Sequence, residues 1–254
     1  MTFRVASWII CLLTGSRSTV GCSQRLSSQD SAREGYIREY VVVDIRNTLK
    51  LPSEIDFFTA SRMFCAGVKA YNAVMQCGIA TGGSVALIGA GGQGQMAILY
   101  AKAMGLKVFV VDTNSRKLDR AKQLGAEYTI NPNNCPQYAN DIKRVTGGVD
   151  AAINFTPSHK AFDDMSLMLR WGGTRMIVGM ANGPLQFDCS DLLSCGCIIK
   201  GSGSVTAEDL QQCLRFSIEY QIDPMMQLRT VEEIPHAFAM METGKLLDRI
   251  CVQL

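Results

Sequence analysis

The hexapeptide GAGGQG spans residues 89–94 and places Gly89, Gly91 and Gly94 in a G-x-G-x-x-G spacing. The first glycine permits a tight turn, the second lets a pyrophosphate approach the backbone, and the third lets a helix pack closely on a strand. Gly92 falls at the start of that helix, whose first amides would face the phosphates. A loop without a ligand or a methyltransferase can carry the same spacing, so the context decides.

The residues around this motif favour a dinucleotide. The apolar run SVALI precedes it, a helix-like segment follows it, and Asp112 ends the next apolar run. A carboxylate at this position accepts hydrogen bonds from the adenosine ribose and repels the 2′-phosphate of NADP, so we expect NAD as the cofactor. Lys117 either reaches the same ribose or is a solvated charge at the end of a helix.

Cysteine and histidine are the other residues that could hold a ligand. Cys65, in the apolar segment SRMFCAGVKAYNAV, is either a metal ligand or a buried thiol. Cys195 and Cys197 form a CxC pair at the start of a strand-like run, where ordinary packing is favoured over a metal clip. The two histidines, His159 and His236, are expected on the surface or on a helix face. The ten cysteines contain no CxxC pair, so reduced thiols are favoured over a disulfide framework.

The composition restricts the classes of partner. The chain has 254 residues and a net charge of +2, which gives no electrostatic reason to expect nucleic acid. No apolar run approaches the roughly 18 residues of a membrane span, so no membrane partner is expected. The start, MTFRVASWIICLLTGSRSTVGC, weakly resembles a secretory signal. A disordered start or a shortened reading frame, in a cytoplasmic protein, is the favoured interpretation.

Six short apolar runs predict the strands that position these residues. They are SVALIGA, KVFVVD, EYTIN, DAAINF, TRMIVGM and CIIKGSG, and segments of helical periodicity separate them. In the first helical segment, Met96, Leu99 and Tyr100 share one face, and the second begins at a predicted cap, Ser115. Strands that alternate with helices predict an α/β Rossmann fold with a doubly wound, six-stranded parallel sheet.

The chain resembles the zinc-type medium-chain alcohol dehydrogenase family over about residues 34–254. The segments that carry the resemblance are CAGVKAY, GAGGQG, YAKAMG, VVD with its downstream lysine, IVGM and the terminal GKLLDRICVQL. It implies an NAD-dependent enzyme that oxidises an alcohol or reduces a carbonyl compound. It also implies that Val178, Gly179 and Met180 lie beside the nicotinamide. Arg249 matches an arginine that reaches the pyrophosphate, or else it is an exposed residue at a strand start.

The resemblance gives Cys65 a role as one of three protein ligands to a catalytic zinc. The other two, a cysteine and a histidine in a Gly-His-Glu context, have no counterpart in the sequence. A catalytic zinc needs three protein ligands and an open position, so zinc is implied by the family but is not expected to be retained. In what resembles a remnant of the family's structural zinc lobe, Cys22 matches one ligand position and Arg25 stands where a cysteine would be expected. Lys69 replaces a threonine that the family places against the nicotinamide.

The resemblance also predicts the domain organisation of an N-terminally truncated member. Residues 1–33 are expected to be divergent or disordered, and residues 34–60 to be a remnant of a GroES-like catalytic domain. Residues 61–220 are expected to form the NAD-binding domain, and residues 221–254 to return to the catalytic domain.

Three functions remain open at this point. The first is an NAD-dependent alcohol oxidoreductase that is impaired because most of its catalytic domain is missing. The second is a non-catalytic dinucleotide-binding or assembly module, and the third is a zinc-free quinone reductase, against which Cys65 argues. The last predicted strand is expected at a sheet edge, where relatives pair across a two-fold axis, so we expect a homo-oligomer.

Overall fold

The structure is a computed structural model, and it describes residues 2–4, 8–11, 40–42, 51–203, 205–223, 226–243 and 246–253. The chain divides into two compact units. The sheet unit is Lys69–Gly203, and the terminal unit is Met1–Val68 together with Ser204–Leu254. Cys22 and Arg25 lie outside the described residues. The predicted domain boundaries remain a prediction.

The elements are numbered in chain order. The described strands are β1 (Thr2–Arg4), β2 (Trp8–Cys11), β3 (Tyr40–Val42), β4 (Ser84–Ile88), β5 (Lys107–Val111), β6 (Tyr128–Ile130), β7 (Val149–Asn154), β8 (Leu169–Ile177), β9 (Ile198–Gly201), β10 (Met226–Arg229) and β11 (Arg249–Gln253). The described α-helices are α1 (Phe57–Arg62), α2 (Val68–Met75), α3 (Gly92–Ala103), α4 (Ser115–Gln123), α5 (Tyr138–Thr146), α6 (His159–Met168), α7 (Cys189–Cys195), α8 (Ala207–Glu219) and α9 (Ile234–Glu242). The segment Met63–Gly67, whose backbone is non-helical at Phe64 and Cys65, joins α1 to α2, and a 3-10 turn, Val231–Glu233, precedes α9.

The sheet unit contains a six-stranded parallel sheet in the order β6-β5-β4-β7-β8-β9. Each of the six predicted runs forms one of its strands, which confirms the predicted Rossmann fold. Within this sheet, β4 is the first strand in chain order, and β5 and β6 follow it toward one edge. The chain then crosses back to β7 on the other side of β4, and β8 and β9 follow toward the opposite edge. The order therefore reverses between β4 and β7, and ligands of open α/β sheets bind in the crevice at such a point.

One face of this sheet packs against α5 and α6. Phe109 from β5 shares a buried cluster with Ile142 of α5 and with Phe162 and Met165 of α6. Each such side chain contributes about 1.5–3 kcal/mol when it is fully removed from water. Strands β4 and β5 are buried along almost their whole length, which is typical of a parallel sheet that is covered on both faces.

Asp150 joins three strands at the amino-terminal edge of the sheet. Its Oδ2 accepts a hydrogen bond from the Ser84 amide at 2.7 Å, and its Oδ1 accepts one from Nε of Arg170 at 2.7 Å. Burial opposes ionisation, but the Ser84 and Arg170 hydrogen bonds outweigh it and lower the pKa of Asp150. This edge is therefore held by a charged side chain.

The predicted helix cap at Ser115 is wrong by one residue. Asn114 has the extended backbone of an N-cap, and its side chain accepts a hydrogen bond from the Arg116 amide at 3.0 Å. Ser115 is instead the first helical residue. Asparagine and serine are both strong caps, so the two positions compete and the sequence does not separate them.

The terminal unit is built around strands from both ends of the chain. Strand β11 pairs with β10 in parallel and with β2 in antiparallel orientation, while β1 pairs with β3. Arg62, at the end of α1, is buried, forms an ion pair with Asp223 and places its guanidinium 4.5 Å from the centre of the Phe58 ring. None of the described helices is both long enough and apolar enough to cross a membrane.

Candidate functional site: a glycine loop and a strained cysteine

The glycine loop lies at the carboxyl end of β4, and its glycines are required for different reasons. Gly89 has a φ of +100°, which side chains rarely adopt, and a Cβ there would lie 2.7 Å from Cγ2 of Thr156. A Cβ on Gly94 would lie 1.8 Å from the carbonyl oxygen of Gly89, so α3 packs directly on the turn. A Cβ on Gly91 would meet no protein atom within 4 Å. Gly91 therefore leaves open space that a ligand can fill.

Helix α3 is one of three described α-helices whose N-cap makes no side-chain hydrogen bond. Gly91 is its N-cap and has no side chain with which to accept a hydrogen bond. Five other α-helices are capped by a side-chain oxygen from Asp56, Asn114, Ser158, Asp188 or Thr206. The first-turn amides of a helix need acceptors and favour an anion, because the helix dipole places partial positive charge there. The start of α3, with Gly92 as its first residue, is therefore suited to a pyrophosphate.

Asp112 follows β5 and is hydrogen-bonded to the glycine loop. Its Oδ2 accepts from the Ala90 amide at 2.7 Å, and its Oδ1 accepts from the Asn114 amide at 2.8 Å. These bonds fix the orientation of a half-buried carboxylate. Each oxygen keeps a second lone pair, so the group can still accept from a ribose diol. Lys117 is half-buried in the first turn of α4.

The ends of β7 and β8 complete this edge of the sheet. The carbonyl oxygen of Asn154 accepts from the Val178 and Gly179 amides at 3.0 and 2.9 Å. The Asn154 side chain is buried and accepts from the amide and the hydroxyl of Thr156, both at 2.8 Å. Met180 is exposed. Asn154 and Thr156 were not predicted as site residues, although the position of Asn154 at the end of an apolar run is a signal for such a residue.

Arg249, the first residue of β11, belongs to the terminal unit. It is half-buried, and burial lowers its pKa to about 10. The predicted contact between Arg249 and a pyrophosphate remains a prediction.

Cys65 interrupts the helical path between α1 and α2. Its backbone has a φ of 65° and a ψ of −76°, and the preceding Phe64 is extended, with a ψ of 136°. Such a conformation is strained for a residue with a side chain, and strain of this kind is concentrated at functional sites. The Cys65 thiol is half-buried. This break was not predicted, because the apolar residues of the segment follow the spacing of one continuous helix.

Cys65 is the residue that the family resemblance assigns to a zinc site, and this assignment remains a prediction. Within the described part of the chain, no group of three or more histidine, cysteine or acidic side chains is arranged to hold a metal ion. His159 begins α6, is exposed, and places Nε2 2.9 Å from the Asn182 carbonyl oxygen. His236 is exposed on α9. The described residues therefore do not fit a catalytic zinc.

Sheet order, glycine loop and strand-end carboxylate define a dinucleotide-binding fold of the Rossmann class. Comparison with known proteins agrees with this assignment and extends it. The family profile of the zinc-binding dehydrogenases matches residues 92–219. An alcohol dehydrogenase of Geobacillus stearothermophilus is 36% identical over 243 residues, which cover 95% of this chain and 70% of that protein. The chain belongs to the zinc-type medium-chain alcohol dehydrogenase family.

Two more relatives show how far the similarity extends. An alcohol dehydrogenase of Rhizobium meliloti is 32% identical over 221 residues, which cover 87% of this chain and 65% of that protein. The crystal structure of the alcohol dehydrogenase from Aeropyrum pernix superimposes with a TM-score of 0.77 at 25% identity, over 85% of this chain and 64% of that one. The chain thus spans about two thirds of the length of these relatives.

Proposed function

We propose that this chain is an NAD-dependent oxidoreductase of the alcohol dehydrogenase type, and that its sheet unit supplies the cofactor-binding half of the reaction. The observation that carries the proposal is the pairing of an N-terminus without a side-chain cap, at Gly91, with an oriented carboxylate, Asp112. These groups match the two ends of an adenosine diphosphate, since amides bind the phosphates and a carboxylate binds the ribose.

Each residue of the site has a defined task in this proposal. The first-turn amides of α3 bind the pyrophosphate, with Gly91 leaving room for it and Gly94 holding the helix in place. Asp112 accepts hydrogen bonds from the ribose and disfavours a 2′-phosphate, so NADH binds in preference to NADPH. Lys117 is assigned to the same ribose. NAD, when bound, accepts a hydride from the carbon that carries the alcohol oxygen.

The nicotinamide end of the cofactor is assigned by family resemblance. Val178, Gly179 and Met180 follow β8, and the amides of Val178 and Gly179 donate hydrogen bonds to the Asn154 carbonyl oxygen at the end of β7. Arg249 is assigned to the pyrophosphate on the same ground. Small alcohols or carbonyl compounds are the substrate class.

We further propose that alcohol turnover by this chain is impaired. Cys65 is one of the three zinc ligands that the family requires, and neither histidine of the sequence stands in the Gly-His-Glu context of another. Zinc would stabilise the developing alkoxide, and each ~1.4 kcal/mol of lost stabilisation slows a reaction tenfold. A non-catalytic dinucleotide-binding module is the second candidate, favoured by the concentration of the assigned nucleotide residues in the sheet unit.

One experiment separates the two candidates. The purified chain, loaded with zinc, is titrated with NADH and NADPH by fluorescence and then assayed for NAD reduction with primary and secondary alcohols. NADH binding with weak but measurable turnover and no stoichiometric zinc supports the impaired oxidoreductase. One zinc per chain, together with turnover that Cys65→Ala abolishes, would show that other residues complete the site and would overturn the proposed impairment. NADH binding with turnover indistinguishable from background supports the module. Failure to bind NADH, or equally tight binding of NADPH, would overturn the assignment of the glycine loop and Asp112.

We also propose that the chain forms a homodimer through β9. This strand is the last of the six-stranded sheet, and Ile198 within it and Leu193 in the preceding helix α7 expose large apolar side chains. An edge strand offers unpaired backbone groups that a second copy can satisfy across a two-fold axis. Sedimentation at micromolar concentration should show a dimer, and a folded monomer would contradict this proposal.

A further inference from the structure

Arg175, in the middle of β8, is among the most deeply buried side chains of the sheet unit, with 2% of its surface exposed. Its guanidinium lies 5.7 Å from the centre of the Phe162 ring. Among the described residues, no hydrogen-bond partner reaches its Nε or Nη2, and no carboxylate forms an ion pair with it. An arginine keeps its charge, and a buried charge without a counter-charge is strongly unfavourable. A neighbouring anion would therefore stabilise the Arg175 guanidinium.

The groups that act on this guanidinium are the two thiols of the CxC pair. Cys195 is the last residue of α7, and Cys197 directly precedes β9, so the prediction that both lie at a strand start is wrong for Cys195. Gly196 turns the chain between them with a φ of +56°, and a Cβ there would lie 3.1 Å from the Trp171 ring. In the pairing of β8 with β9, Arg175 lies opposite Ile199, two residues after Cys197. Cys197 also packs against the buried cluster that contains Phe162, the ring beside the Arg175 guanidinium, so the CxC turn lies in the neighbourhood of this charge.

The two thiols differ in their electrostatic environment. Burial opposes ionisation of Cys195, but the hydrogen bonds from Cys197 and the charge of Arg175 outweigh it and lower the pKa of Cys195. Burial and the hydrogen bond to Cys195 raise the pKa of Cys197. The carboxyl end of a helix disfavours an anion, so the stabilisation of a Cys195 thiolate has to come from these neighbours. One thiol is thus favoured as the anion, and the other as its proton-bearing partner.

We propose that Cys195 and Cys197 form a reversible thiol–disulfide couple, in which Cys195 is the nucleophile, Cys197 is the resolving thiol and Arg175 is a positioning residue. The co-reactant is a peroxide, which is a two-electron oxidant. Reactive cysteines require a partly exposed thiolate beside a cation, and Cys195 is half-buried rather than sealed in the core. The thiolate of Cys195 also supplies the counter-charge that Arg175 otherwise lacks.

The chemistry balances in two steps. The Cys195 thiolate attacks one oxygen of hydrogen peroxide, the O–O bond breaks, and hydroxide leaves and takes up a proton, so that Cys195 becomes a sulfenic acid. The Cys197 sulfur then attacks the Cys195 sulfur, the S–O bond breaks, and the oxygen leaves as water with the proton of Cys197. Two electrons pass from the two sulfurs to the peroxide, and a thiol reductant reverses the reaction.

The sequence provides a matched control in the same proteolytic peptide. Cleavage after Arg175 and Lys200 releases residues 176–200, which contain Cys189 together with the CxC pair. Cys189 begins the same helix, α7, and is exposed, whereas both members of the pair are half-buried. Exposure therefore favours the reaction of Cys189 with peroxide, and the nearby Arg175 charge favours the reaction of Cys195. Their order of reaction decides which effect dominates.

The first test uses the reduced, full-length protein. It is treated with one equivalent of hydrogen peroxide, blocked with a maleimide and digested with trypsin, and residues 176–200 are sequenced by mass spectrometry. We expect the peptide to lose two hydrogens through a bond between Cys195 and Cys197, while Cys189 carries the maleimide. A bond that involves Cys189, or oxidation of Cys189 before Cys195, would overturn the proposal.

The second test uses variants of the three residues. Cys197→Ser should leave a sulfenic acid on Cys195 that dimedone traps, and Cys189→Ser should change nothing. Arg175→Met should slow alkylation of Cys195 by iodoacetamide about tenfold, because one pKa unit changes the thiolate fraction tenfold, and Arg175→Lys should restore most of the rate. An equal effect of Arg175→Met and Arg175→Lys on folding and rate would mean that the arginine is only structural. The wild-type order of alkylation, Cys195 before Cys189, tests the proposal even if both variants fail to fold.

Discussion

The glycine loop and the Cys65 segment both carry the resemblance to the zinc-type dehydrogenases, but they differ in how complete they are. The loop, Asp112 and the strand ends beside them all lie in the sheet unit, within one continuous stretch of chain. A catalytic zinc is held by three protein ligands together, and the described residues form no group of three metal-binding side chains that includes Cys65. A cofactor site built from backbone amides is local, whereas a metal site depends on donors from distant parts of the chain.

The two regions also differ in where they place unusual backbone. In the loop, the positive φ falls on Gly89, which tolerates it without cost. In the other region it falls on Cys65, a residue with a side chain, and such conformations cost about 1–3 kcal/mol. The loop is thus relaxed as it stands, while the Cys65 turn is held in place by its surroundings.

The largest expected effect separates two glycines of the loop. Gly94→Ala places a Cβ 1.8 Å from a backbone oxygen, so we expect it to destabilise the protein by about 3 kcal/mol and to abolish NADH binding. Gly91→Ala meets no protein atom and should cost at most about 1 kcal/mol, the usual preference for glycine over alanine at an N-cap, while the methyl group weakens NADH binding by occupying the space of the pyrophosphate. Denaturant unfolding and NADH titration measure both. Full NADH affinity in Gly91→Ala would contradict the position assigned to the pyrophosphate.

The opposite edge of the same sheet should respond in stability alone. Asp150→Asn removes a charge that holds Ser84 and Arg170, and we expect a loss of about 2 kcal/mol near pH 7 with unchanged NADH affinity per folded molecule. The folded pKa of Asp150 is lowered, so its stabilisation is present above about pH 4 and is lost as the pH falls through the folded value. The difference between wild type and Asp150→Asn should therefore shrink toward about pH 2 in urea unfolding. A difference that is independent of pH would show that the charge of Asp150 is not the cause.

The choice between cofactors should depend on Asp112. Asp112→Gly removes the ribose acceptor and the repulsion of a 2′-phosphate, so we expect NADH affinity to fall about tenfold, or ~1.4 kcal/mol, and the preference over NADPH to narrow. Fluorescence titration with both nucleotides measures this change. Lys117→Met is the companion variant, since it removes the charge assigned to the same ribose without touching the loop. An unchanged preference in Asp112→Gly would refute the assignment.

The smallest expected effect tests the strain at Cys65. Cys65→Gly should keep or raise stability by up to about 1 kcal/mol, because glycine adopts a φ of 65° freely and this gain offsets the lost side-chain contacts. Cys65→Ala keeps the unfavourable backbone and should be less stable than Cys65→Gly. Thermal unfolding of the pair distinguishes them. The reverse order would show that the turn is not strained and would weaken the contrast with the glycine loop.

The sequence predicted the sheet and its glycine loop because both depend on local signals. Apolar runs bounded by turns mark the strands, and a glycine spacing marks the loop. It did not predict the break at Phe64 and Cys65, because apolar residues of helical spacing continue through it. It also gave no indication that Arg175 lies beside Cys195 and Cys197, since that contact depends on β8 and β9 being neighbours in the sheet. Contacts between separate strands are the part that periodicity does not encode.

The hydrogen bonds of Asp112 have a consequence for how a new nucleotide preference can evolve or be engineered. The carboxylate that would select the ribose also accepts the Ala90 amide inside the glycine loop and the Asn114 amide at the cap of α4. A substitution that admits a phosphorylated ribose therefore also removes an acceptor from two backbone amides. A change of nucleotide preference then requires a second substitution that restores the shape of the loop. The variant that carries only the substitution at Asp112 would bind both nucleotides poorly.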